Sequence, residues 1–523
     1  MTLLDRRALL LRASSLALAC TLPRWAWAAL QSAAADDPFA LGVASGDPAP
    51  DGMVLWTRLL LPAAAAAATV QWEIAHDAAF RRIAQRGQAV ADAALAHSVH
   101  VEAAGLEPDR WYFYRFMHGG AVSAVGRTRT APAPGALPAR LRLAYASCQR
   151  WEHGYYAAWR HLVDDAPDLV AFLGDYIYGY AAPPQPGGLP RTHPLRHART
   201  LADYRDRYAL HKSDPDLQAA HRACPWIVTW DDHEVENDYA GGTGRQGATD
   251  AFVRQRTAAW QAFYERMPLR ASTLARGLGG LGAAGGVQLY RSIGWGRLAQ
   301  VHLLDDRQFR AVQACREPGA STAAAVQPGA CAALADPARS LLGAAQEAWL
   351  DAALARDAAG DGPHWSVIAQ QTLFSPRRYP SGVVSTDNWD GYPAARERLL
   401  QSLQHHRPRN TVLLGGDIHQ NYVCRVHAAP ADPASPVVAS EFCGTSITSH
   451  SGTTQQKVDA VARHNPHVLL ADCDHRGYGL CDVTPSRWTT ALRVVDDAAR
   501  PDASIATLAR FVVEDGRPGP QAA

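Results

Sequence analysis

The chain has 523 residues, of which 47% are hydrophobic and 19% charged, and its 51 basic residues nearly balance 50 acidic ones, giving a formal charge of +1. This composition is typical of globular proteins, and the length predicts more than one domain. A balanced charge supplies no field that attracts nucleic acid, so we expect no nucleic-acid-specific recognition.

The amino terminus predicts export. Arg6 and Arg7 precede a mildly apolar stretch that reaches about Leu22, and residues 26–28 have the small-x-small pattern of a cleavage site. These features predict a twin-arginine signal peptide over residues 1–28, with the twin-arginine export machinery as a partner and a periplasmic or secreted location. No later stretch has the ~18 continuous apolar residues of a membrane span. We therefore expect a mature chain without a span, and we expect it to be a monomer.

Six short segments between residues 38 and 130 alternate apolar and polar residues and are separated by turn-forming Gly, Asp and Pro. This rhythm predicts an N-terminal antiparallel β-sandwich domain over residues 38–130. Residues 131–138 contain three prolines and a glycine, which is typical of an extended linker. The predicted strands are Phe39–Ser45, Met53–Arg58, Val70–Ile74, His97–Val101, Trp111–Phe116 and Gly126–Thr130.

Strands and longer helical stretches alternate after the linker, which predicts an α/β catalytic domain over residues 140–516. The predicted strands are Leu141–Ser147, Leu169–Leu173, Trp226–Trp230, Arg297–Leu304, Trp365–Ala369 and Thr411–Leu414. The predicted helices are Tyr155–Asp164, Leu201–Leu210, Ala251–Arg266, Ala344–Leu354 and Ala394–His405. Two long loops, over residues 181–190 and 276–286, are expected to influence substrate choice.

Nine cysteines are present, and eight remain if Cys20 is removed with the signal peptide. An exported chain can form disulfides, but the sequence does not determine their connectivity. Proximity favours Cys315 with Cys331 and Cys473 with Cys481, and Cys424 could pair with Cys443 if their strands are neighbours. Cys224 is predicted to be a buried thiol, which leaves Cys148.

Polar residues gather where five predicted strands end. Because open α/β sheets bind ligands at the carboxyl ends of their strands, this recurrence predicts a metal centre. The densest group follows the apolar run from Trp226 and includes four carboxylates between Asp231 and Glu236, which would repel one another without a cation. The five groups are Ser147–Gln149, Gly174–Tyr178, Asp231–His233, Asp305–Arg307 and Gly415–Asn421.

The donor types at these ends are mixed. Cys148 as thiolate and Tyr178 as phenolate suit a redox-type or highly charged ion, whereas carboxylate and amide oxygens suit calcium, manganese or magnesium. The predicted ligands are Cys148, Asp175, Tyr178, Asp232, Asn237, Asp417 and His419. His419 could instead protonate a leaving group, and Arg150 and Arg307 are candidate phosphate clamps.

The chain resembles the alkaline phosphatase D family of secreted phosphodiesterases and phosphatases. The resemblance is carried by Gly42–Pro48 and Val54–Arg58 and, after the linker, by Ala146–Gln149, Gly174–Tyr178, Thr229–Val235, Leu304–Arg310, Trp389–Pro393 and Gly416–His419. It implies a calcineurin-like metallophosphatase domain, an αββα sandwich, with iron (Fe3+) held by a thiolate and a tyrosinate beside calcium (Ca2+). The chain departs from the family at Asp306, where a threonine is more usual.

These features predict metal-dependent hydrolysis of small phosphate esters by a metal-activated oxygen nucleophile, that is, an alkaline phosphatase with phosphodiesterase activity. Two alternatives are a phospholipase D-like phosphodiesterase and a non-catalytic exported binding protein in which calcium ions hold the loops together. The thiolate and phenolate argue against the binding protein, because purely structural calcium sites use oxygen ligands.

Overall fold

The structure is a computed structural model that describes residues 37–61, 65–185, 187–274, 287–317 and 324–523. The predicted signal peptide over residues 1–28 and the predicted loop over 276–286 lie outside the described residues. Among the helices that are described, none has the length and apolar character needed to cross a membrane.

The elements follow one another in two stretches of the chain. The first contains β1 (Val43–Ala49), β2 (Gly52–Arg58), β3 (Ala67–Ala75), β4 (Ile83–Asp92), β5 (Ser98–Ala103), β6 (Trp111–His118), β7 (Ala121–Val122), β8 (Gly126–Arg129), β9 (Leu141–Ala146), α1 (Ala157–Asp164), β10 (Leu169–Phe172), α2 (Leu201–Lys212), α3 (Pro215–Ala223), β11 (Trp226–Val228) and α4 (Asp250–Arg266). The second contains β12 (Arg291–Trp295), β13 (Ala299–Leu303), β14 (Ala325–Val326), α5 (Ala344–Asp357), β15 (Trp365–Ala369), β16 (Val384–Ser385), α6 (Pro393–His406), β17 (Val412–Gly415), β18 (Asn421–His427), β19 (Val437–Cys443), α7 (Gln455–His464), β20 (Val468–Asp472), β21 (Arg476–Val483), β22 (Arg487–Val495), β23 (Ile505–Glu514) and β24 (Arg517–Ala522).

Two large mixed sheets form the centre of the molecule. The ten-stranded sheet has the order β24-β23-β22-β21-β9-β10-β11-β1-β2-β5, and the seven-stranded sheet has the order β12-β13-β15-β17-β19-β18-β20. Strands β9, β10 and β11 are parallel neighbours, and so are β13, β15 and β17. The carboxyl ends of each parallel set therefore open at one edge of its sheet.

The two sheets pack face to face around one apolar core. Leu143 and Ala171 of the ten-stranded sheet share a buried cluster with Val301, Val367 and Leu414 of the seven-stranded sheet. Burial of side chains of this size contributes about 1.5–3 kcal/mol each. The continuous core fixes the position of one sheet relative to the other.

Helices cover the outer face of each sheet. Trp159 of α1, Leu217 of α3 and Trp260 of α4 pack with the ten-stranded sheet, whereas Leu350 of α5 and Leu400 of α6 pack with the seven-stranded sheet. The resulting order of helices, sheet, sheet and helices is the αββα sandwich that the sequence predicted.

The N-terminal strands form two layers around their own core. A five-stranded sheet, β4-β3-β6-β7 with β8 beside β6, contributes Ile74 and Tyr114, and β1, β2 and β5 contribute Val43, Leu55 and Val99. Strand β1 also pairs in parallel with β11, so one sheet runs through the N-terminal and catalytic parts of the chain. The domain limits 38–130 and 140–516 therefore stay a prediction.

A glycine makes that sheet junction possible. Gly46 of β1 stands opposite Trp226 of β11. A Cβ at Gly46 would lie 2.6 Å from the carbonyl oxygen of Trp226, which is closer than real Cβ atoms approach backbone. Glycine is thus required for the close approach of the two strands.

One predicted disulfide is present and two are not. Cys315 and Cys331 are bonded, whereas Cys424, Cys443, Cys473 and Cys481 are buried free thiols. The pairing of Cys473 with Cys481 was wrong because Cys481 lies five residues into β21, roughly 16 Å along an extended strand from its start, whereas disulfides need Cα atoms within about 7 Å.

The pairing of Cys424 with Cys443 was also wrong, although β18 and β19 are neighbours as it required. Cys424 stands opposite Glu441, and Cys443 stands opposite Tyr422. The two cysteines are therefore diagonal neighbours, and diagonal positions on adjacent strands are ~7–8 Å apart. The Cys443 thiol donates to the carbonyl of Gly416 instead.

Candidate metal centre

Six of the seven predicted ligands meet at one edge of the stacked sheets. Cys148, Asp175, Tyr178 and Asp232 follow β9, β10 and β11 of the ten-stranded sheet, while Asp417 and His419 follow β17 of the seven-stranded sheet. The face-to-face packing of the two sheets brings the two sets of strand ends together.

Tyr178 lies at the middle of this group. Its hydroxyl donates to Asp175 Oδ2 at 2.8 Å, lies 3.1 Å from His419 Nε2 and accepts from the hydroxyl of Ser449 at 2.7 Å. The same serine hydroxyl is 2.9 Å from the carbonyl oxygen of Cys148. One phenol oxygen therefore connects residues that follow β10, β17 and β19.

Candidate ligand atoms fall into three overlapping groups, each with its atoms within 4.8 Å of one another. Adjacent groups share one carboxylate, Asp175 in the first case and Asp232 in the second. Shared carboxylates are suited to bridging neighbouring cations. The groups are Cys148 with Asp175 and His419, Asp175 with Asp232 and His233, and Asp231 with Asp232 and Asp417.

The backbone at this edge adopts a conformation that costs free energy. Cys148, Asp175, Asp417 and His419 have φ values of +60°, +58°, +65° and +56°. Positive φ is uncommon outside glycine and costs of order 1–3 kcal/mol where it is not a natural turn position. Four such residues in one cluster indicate that the fold holds these side chains in place at the expense of local stability.

Glu234 ties the loops after β10 and β11 together. Its carboxylate is fully buried and accepts hydrogen bonds from the backbone nitrogens of Asp175, Tyr176 and Asp231. Burial raises the pKa of Glu234 to about 7 despite these three bonds. Glu234 is therefore a positioning residue that orients two of the ligand loops.

Arg307 is the cation that the structure places among the carboxylates. It is 1% exposed, and its Nε, Nη1 and Nη2 donate to Asp231, Asp387 and Asp417 respectively. These acceptors hold the pKa of Arg307 well above its usual value even though burial opposes this. With all three nitrogens bound to carboxylates, Arg307 acts as a neutralising charge here, and its role as a phosphate clamp stays a prediction.

Arg150 lies against the ring of Tyr178, whereas Arg307 lies among the carboxylates. The guanidinium carbon of Arg150 lies 4.5 Å from the ring centre of Tyr178, and its Nη2 donates to the carbonyl of Tyr180 at 3.1 Å. Its Nε makes no hydrogen bond to a described residue, but it lies 3.8 Å from Glu152 Oε2 in a buried ion pair. Glu152 therefore neutralises part of the charge of Arg150, and the role of Arg150 as a phosphate clamp stays a prediction.

His419 has a defined tautomer. Its Nδ1 lies 2.7 Å from the carbonyl oxygen of His450, which can only accept, so Nδ1 carries the hydrogen. Nε2 then presents a lone pair toward Tyr178 and Asp175. Burial lowers the pKa of His419 to about 3, so the ring is neutral at neutral pH. The lone pair on Nε2 of the neutral ring can bind a metal ion, and Nε2 has no proton to donate to a leaving group.

The polar atoms of this edge fit a metal centre. Asp231 Oδ2, Asp232 Oδ1 and His233 Nδ1 are buried without a hydrogen-bond partner in the described structure. Burial raises the pKa of Cys148, of Asp175 and of Tyr178, and neighbouring carboxylates raise each further. Bound cations would satisfy the unpartnered atoms and displace the protons, so metal affinity should rise with pH.

Asn237, the seventh predicted ligand, lies on the same loop after β11 as Asp232. Its side-chain oxygen accepts from the Tyr180 hydroxyl at 3.2 Å, so its role as a ligand stays a prediction. Conversely, Asp231 and His233 belong to the groups although neither was among the predicted ligands. Both lie in the acidic stretch that the sequence singled out, but nothing in their spacing distinguished them from their neighbours.

The chain is similar in sequence and in fold to proteins of one known family. Residues 143–492 match the family described as PhoD-like phosphatase, and residues 24–132 match the N-terminal domain of PhoD-like phosphatase. The chain is 43% identical to alkaline phosphatase D of Bacillus subtilis (strain 168) over 498 residues, which cover 92% of this chain and 82% of that protein. A solved structure titled "Structure of PhoD" matches with a TM-score of 0.84 and 42% identity, covering 93% of this chain and 92% of that one.

Replacement of Arg307 tests its role as the neutralising charge. We expect Arg307→Gln to lower the free energy of unfolding by about 3–5 kcal/mol, because it leaves buried carboxylates without their cation. The matched control is Arg409→Gln, which breaks an exposed ion pair with Asp515 and should cost no more than ~1 kcal/mol. Urea titration followed by tryptophan fluorescence measures both, and equal losses in the two variants would contradict this role.

Proposed function

The chain belongs to the PhoD-like phosphatase family and is a phosphoric ester hydrolase, and we propose that it cleaves small phosphate esters at the metal centre described above. The observation that supports this location is the convergence of Cys148, Asp175, Tyr178 and His419 within bonding reach of one another. Membership of a family of hydrolases removes the case for a non-catalytic binding protein.

We propose a mixed centre of iron (Fe3+) and calcium (Ca2+). Cys148 and Tyr178 are the anionic donors suited to iron(III), with Asp175 and His419 beside them. Asp231, Asp232 and Asp417, with the predicted ligand Asn237, offer the oxygen atoms that calcium prefers. When bound, the cations would supply positive charge opposite the phosphoryl oxygens and make an oxygen nucleophile available near neutral pH.

The chain's own residues would orient the ester. The guanidinium of Arg150 lies over the ring of Tyr178 and can bind phosphoryl oxygens in competition with its ion-pair partner Glu152. Arg307 lowers the pKa of Asp232 and of Asp387 against the effect of burial, which favours the charged forms of these two carboxylates. His419, neutral and fixed by the carbonyl of His450, favours the role of ligand over that of general acid.

A groove of about 550 Å³ beside the centre can receive the rest of the substrate. Ile418 and Gln420, which flank His419, line it, as do Arg377 and Lys457. No Asp or Glu is among the described residues that line it. The Nε of Arg377 is buried without a partner. The groove therefore favours an ester whose alcohol carries a further negative charge, and it adds to the two loops predicted to influence substrate choice.

Replacement of the thiolate tests the metal assignment. We expect Cys148→Ser to lose roughly tenfold or more in iron retention and in activity, and to change the visible colour that iron(III) thiolate and phenolate bonding produces. Iron content, visible absorption and p-nitrophenyl phosphate hydrolysis are the measurements. The matched control is Cys224→Ser, which changes a buried thiol in the apolar core before β11. Full iron and unchanged colour in both Cys148→Ser and Tyr178→Phe would overturn the assignment.

The charge of the groove predicts substrate preference. We expect the wild-type enzyme to prefer glucose 1,6-bisphosphate to glucose 1-phosphate, and the double variant Arg377→Gln/Lys457→Gln to lose about tenfold of that preference in kcat/KM, because a charge-assisted contact contributes about 1.5–3 kcal/mol. Arg463→Gln, an exposed change on the same helix as Lys457, should keep the wild-type ratio. A ratio that is unaffected in the double variant would exclude the groove as a determinant of specificity.

We also propose twin-arginine export to the periplasm or exterior, on the basis of Arg6, Arg7 and the apolar stretch after them. A centre that needs several metal ions is best filled before the chain leaves the cytoplasm, and the twin-arginine route carries folded proteins. Replacing both arginines by lysine should leave the precursor inside the cell. Fractionation and immunoblotting measure this, and undiminished export of the double-lysine variant would refute the proposal.

A further inference from the structure

A second basic cavity lies away from the metal centre. It has a volume of about 130 Å³ and is enclosed by the loop after β15, the far end of β18, the loop over residues 430–433 and the residues that follow α7. Strand β18 begins at Asn421, close to the metal centre, and runs six residues to His427 at the cavity. Six residues of strand span roughly 20 Å, so the two sites are separate.

The lining of this cavity has one sign of charge. Its titratable lining residues are all basic, and no Asp or Glu is among the described residues that form its wall. The chain as a whole is almost neutral at +1, so this is a local concentration of positive charge. The basic lining residues are Arg378, Arg396, Arg425, His427, His464 and His467.

Little of this charge is compensated by the protein. Arg396 is paired with Asp390 and donates its Nε to the carbonyl of Phe374. Arg378 donates to the carbonyl of Pro430, which is neutral. Within the described part of the chain, neither Arg378 nor Arg425 forms an ion pair. Two guanidinium groups at the cavity, both on exposed residues, thus have no carboxylate counter-ion among the described residues.

Two histidine rings that line the cavity are each fixed by a hydrogen bond from one ring nitrogen. His427 Nδ1 donates to the carbonyl of Ser435 at 2.8 Å, and His467 Nε2 donates to the carbonyl of Pro376 at 2.9 Å. The second nitrogen of each ring makes no hydrogen bond to any described residue. Burial lowers the pKa of His467 to about 4, and the neighbouring His427, Arg378 and Arg396 lower it further, as expected inside an uncompensated positive cluster.

We propose that this cavity binds a small free oxyanion, inorganic phosphate or sulfate, independently of the metal centre. Fixed donors and uncompensated guanidinium groups are the features that recognise a tetrahedral anion, and bound negative charge would remove the mutual repulsion of the cations. The small volume suits a free ion better than a large phosphorylated molecule. Asp432, in the loop that closes the cavity, caps its own turn by accepting from the nitrogen of Ala434 and does not line the wall.

Calorimetric titration of the metal-loaded protein tests this proposal. Sodium phosphate and sodium sulfate are the probes, at an ionic strength held constant with sodium chloride. Because the metal centre should also bind phosphate, as a reaction product, we expect two phosphate sites in the wild-type protein. The double variant Arg425→Gln/His427→Gln should weaken one site at least tenfold and leave the other unchanged. Arg463→Gln, exposed on α7 and outside the cavity wall, should keep both sites.

The titration with sulfate shows whether the cavity binds oxyanions in general or phosphate selectively. Binding of phosphate alone and binding of both ions would each support the proposal, provided that the double variant weakens it. Hydrolysis of p-nitrophenyl phosphate at the wild-type rate shows that the double variant is folded and that its metal centre is intact. Two outcomes would overturn the proposal: identical titrations of the wild type and the double variant, or a single phosphate site that disappears when a chelator removes the metal ions. An active phosphatase could give either of these two results, so neither would contradict the proposed function.

Discussion

Mutual repulsion among buried anionic groups is the constraint on which the rest of this structure depends. Asp175, Asp231, Asp232 and Asp417 converge at one edge of two stacked sheets, with the thiol of Cys148 and the phenol of Tyr178 among them. Like charges removed from water destabilise one another by several kcal/mol unless cations are present. Arg307 supplies one such charge from inside the protein, but burial and the neighbouring carboxylates still raise the pKa values of Asp175 and Asp417, so one guanidinium does not offset these effects.

The fold places these groups through ordinary packing. Parallel strands end at a common edge, the core between the sheets fixes one edge against the other, and buried residues such as Glu234 and Ser449 lock the loops that follow. The four left-handed residues at this edge show that the loops do not relax to their most favourable backbone conformations. The packing of the sheet and helix layers therefore stabilises loops that would not hold this conformation alone. Bound cations would stabilise the folded state further.

Much of this arrangement could be predicted from the sequence, because strand ends in α/β domains carry a local signal. The apolar runs before Cys148, Asp175, Asp232 and Asp417 predicted strands, and the structure brings their ends together. Strand β4 was missed because only one of its ten residues is buried, so its sequence carries little of the apolar alternation that predicts a strand. Glu234 was missed because its importance lies in three backbone contacts that only the fold creates. The failed pairing of Cys473 with Cys481 has the same origin, since closeness along the chain says nothing about a strand that separates two thiols.

Anomalous diffraction at the iron absorption edge is the most direct test of the central claim, that one set of strand ends holds an iron ion beside other cations. Crystals of the enzyme purified from its native export route should show an iron peak in bonding contact with Cys148 Sγ and Tyr178 Oη, at roughly the 2.3 Å that metal–thiolate bonds have. Further peaks without an iron signal should lie among Asp231, Asp232 and Asp417. An active enzyme whose crystals show no iron at Cys148 and Tyr178, or show it elsewhere, would contradict the account.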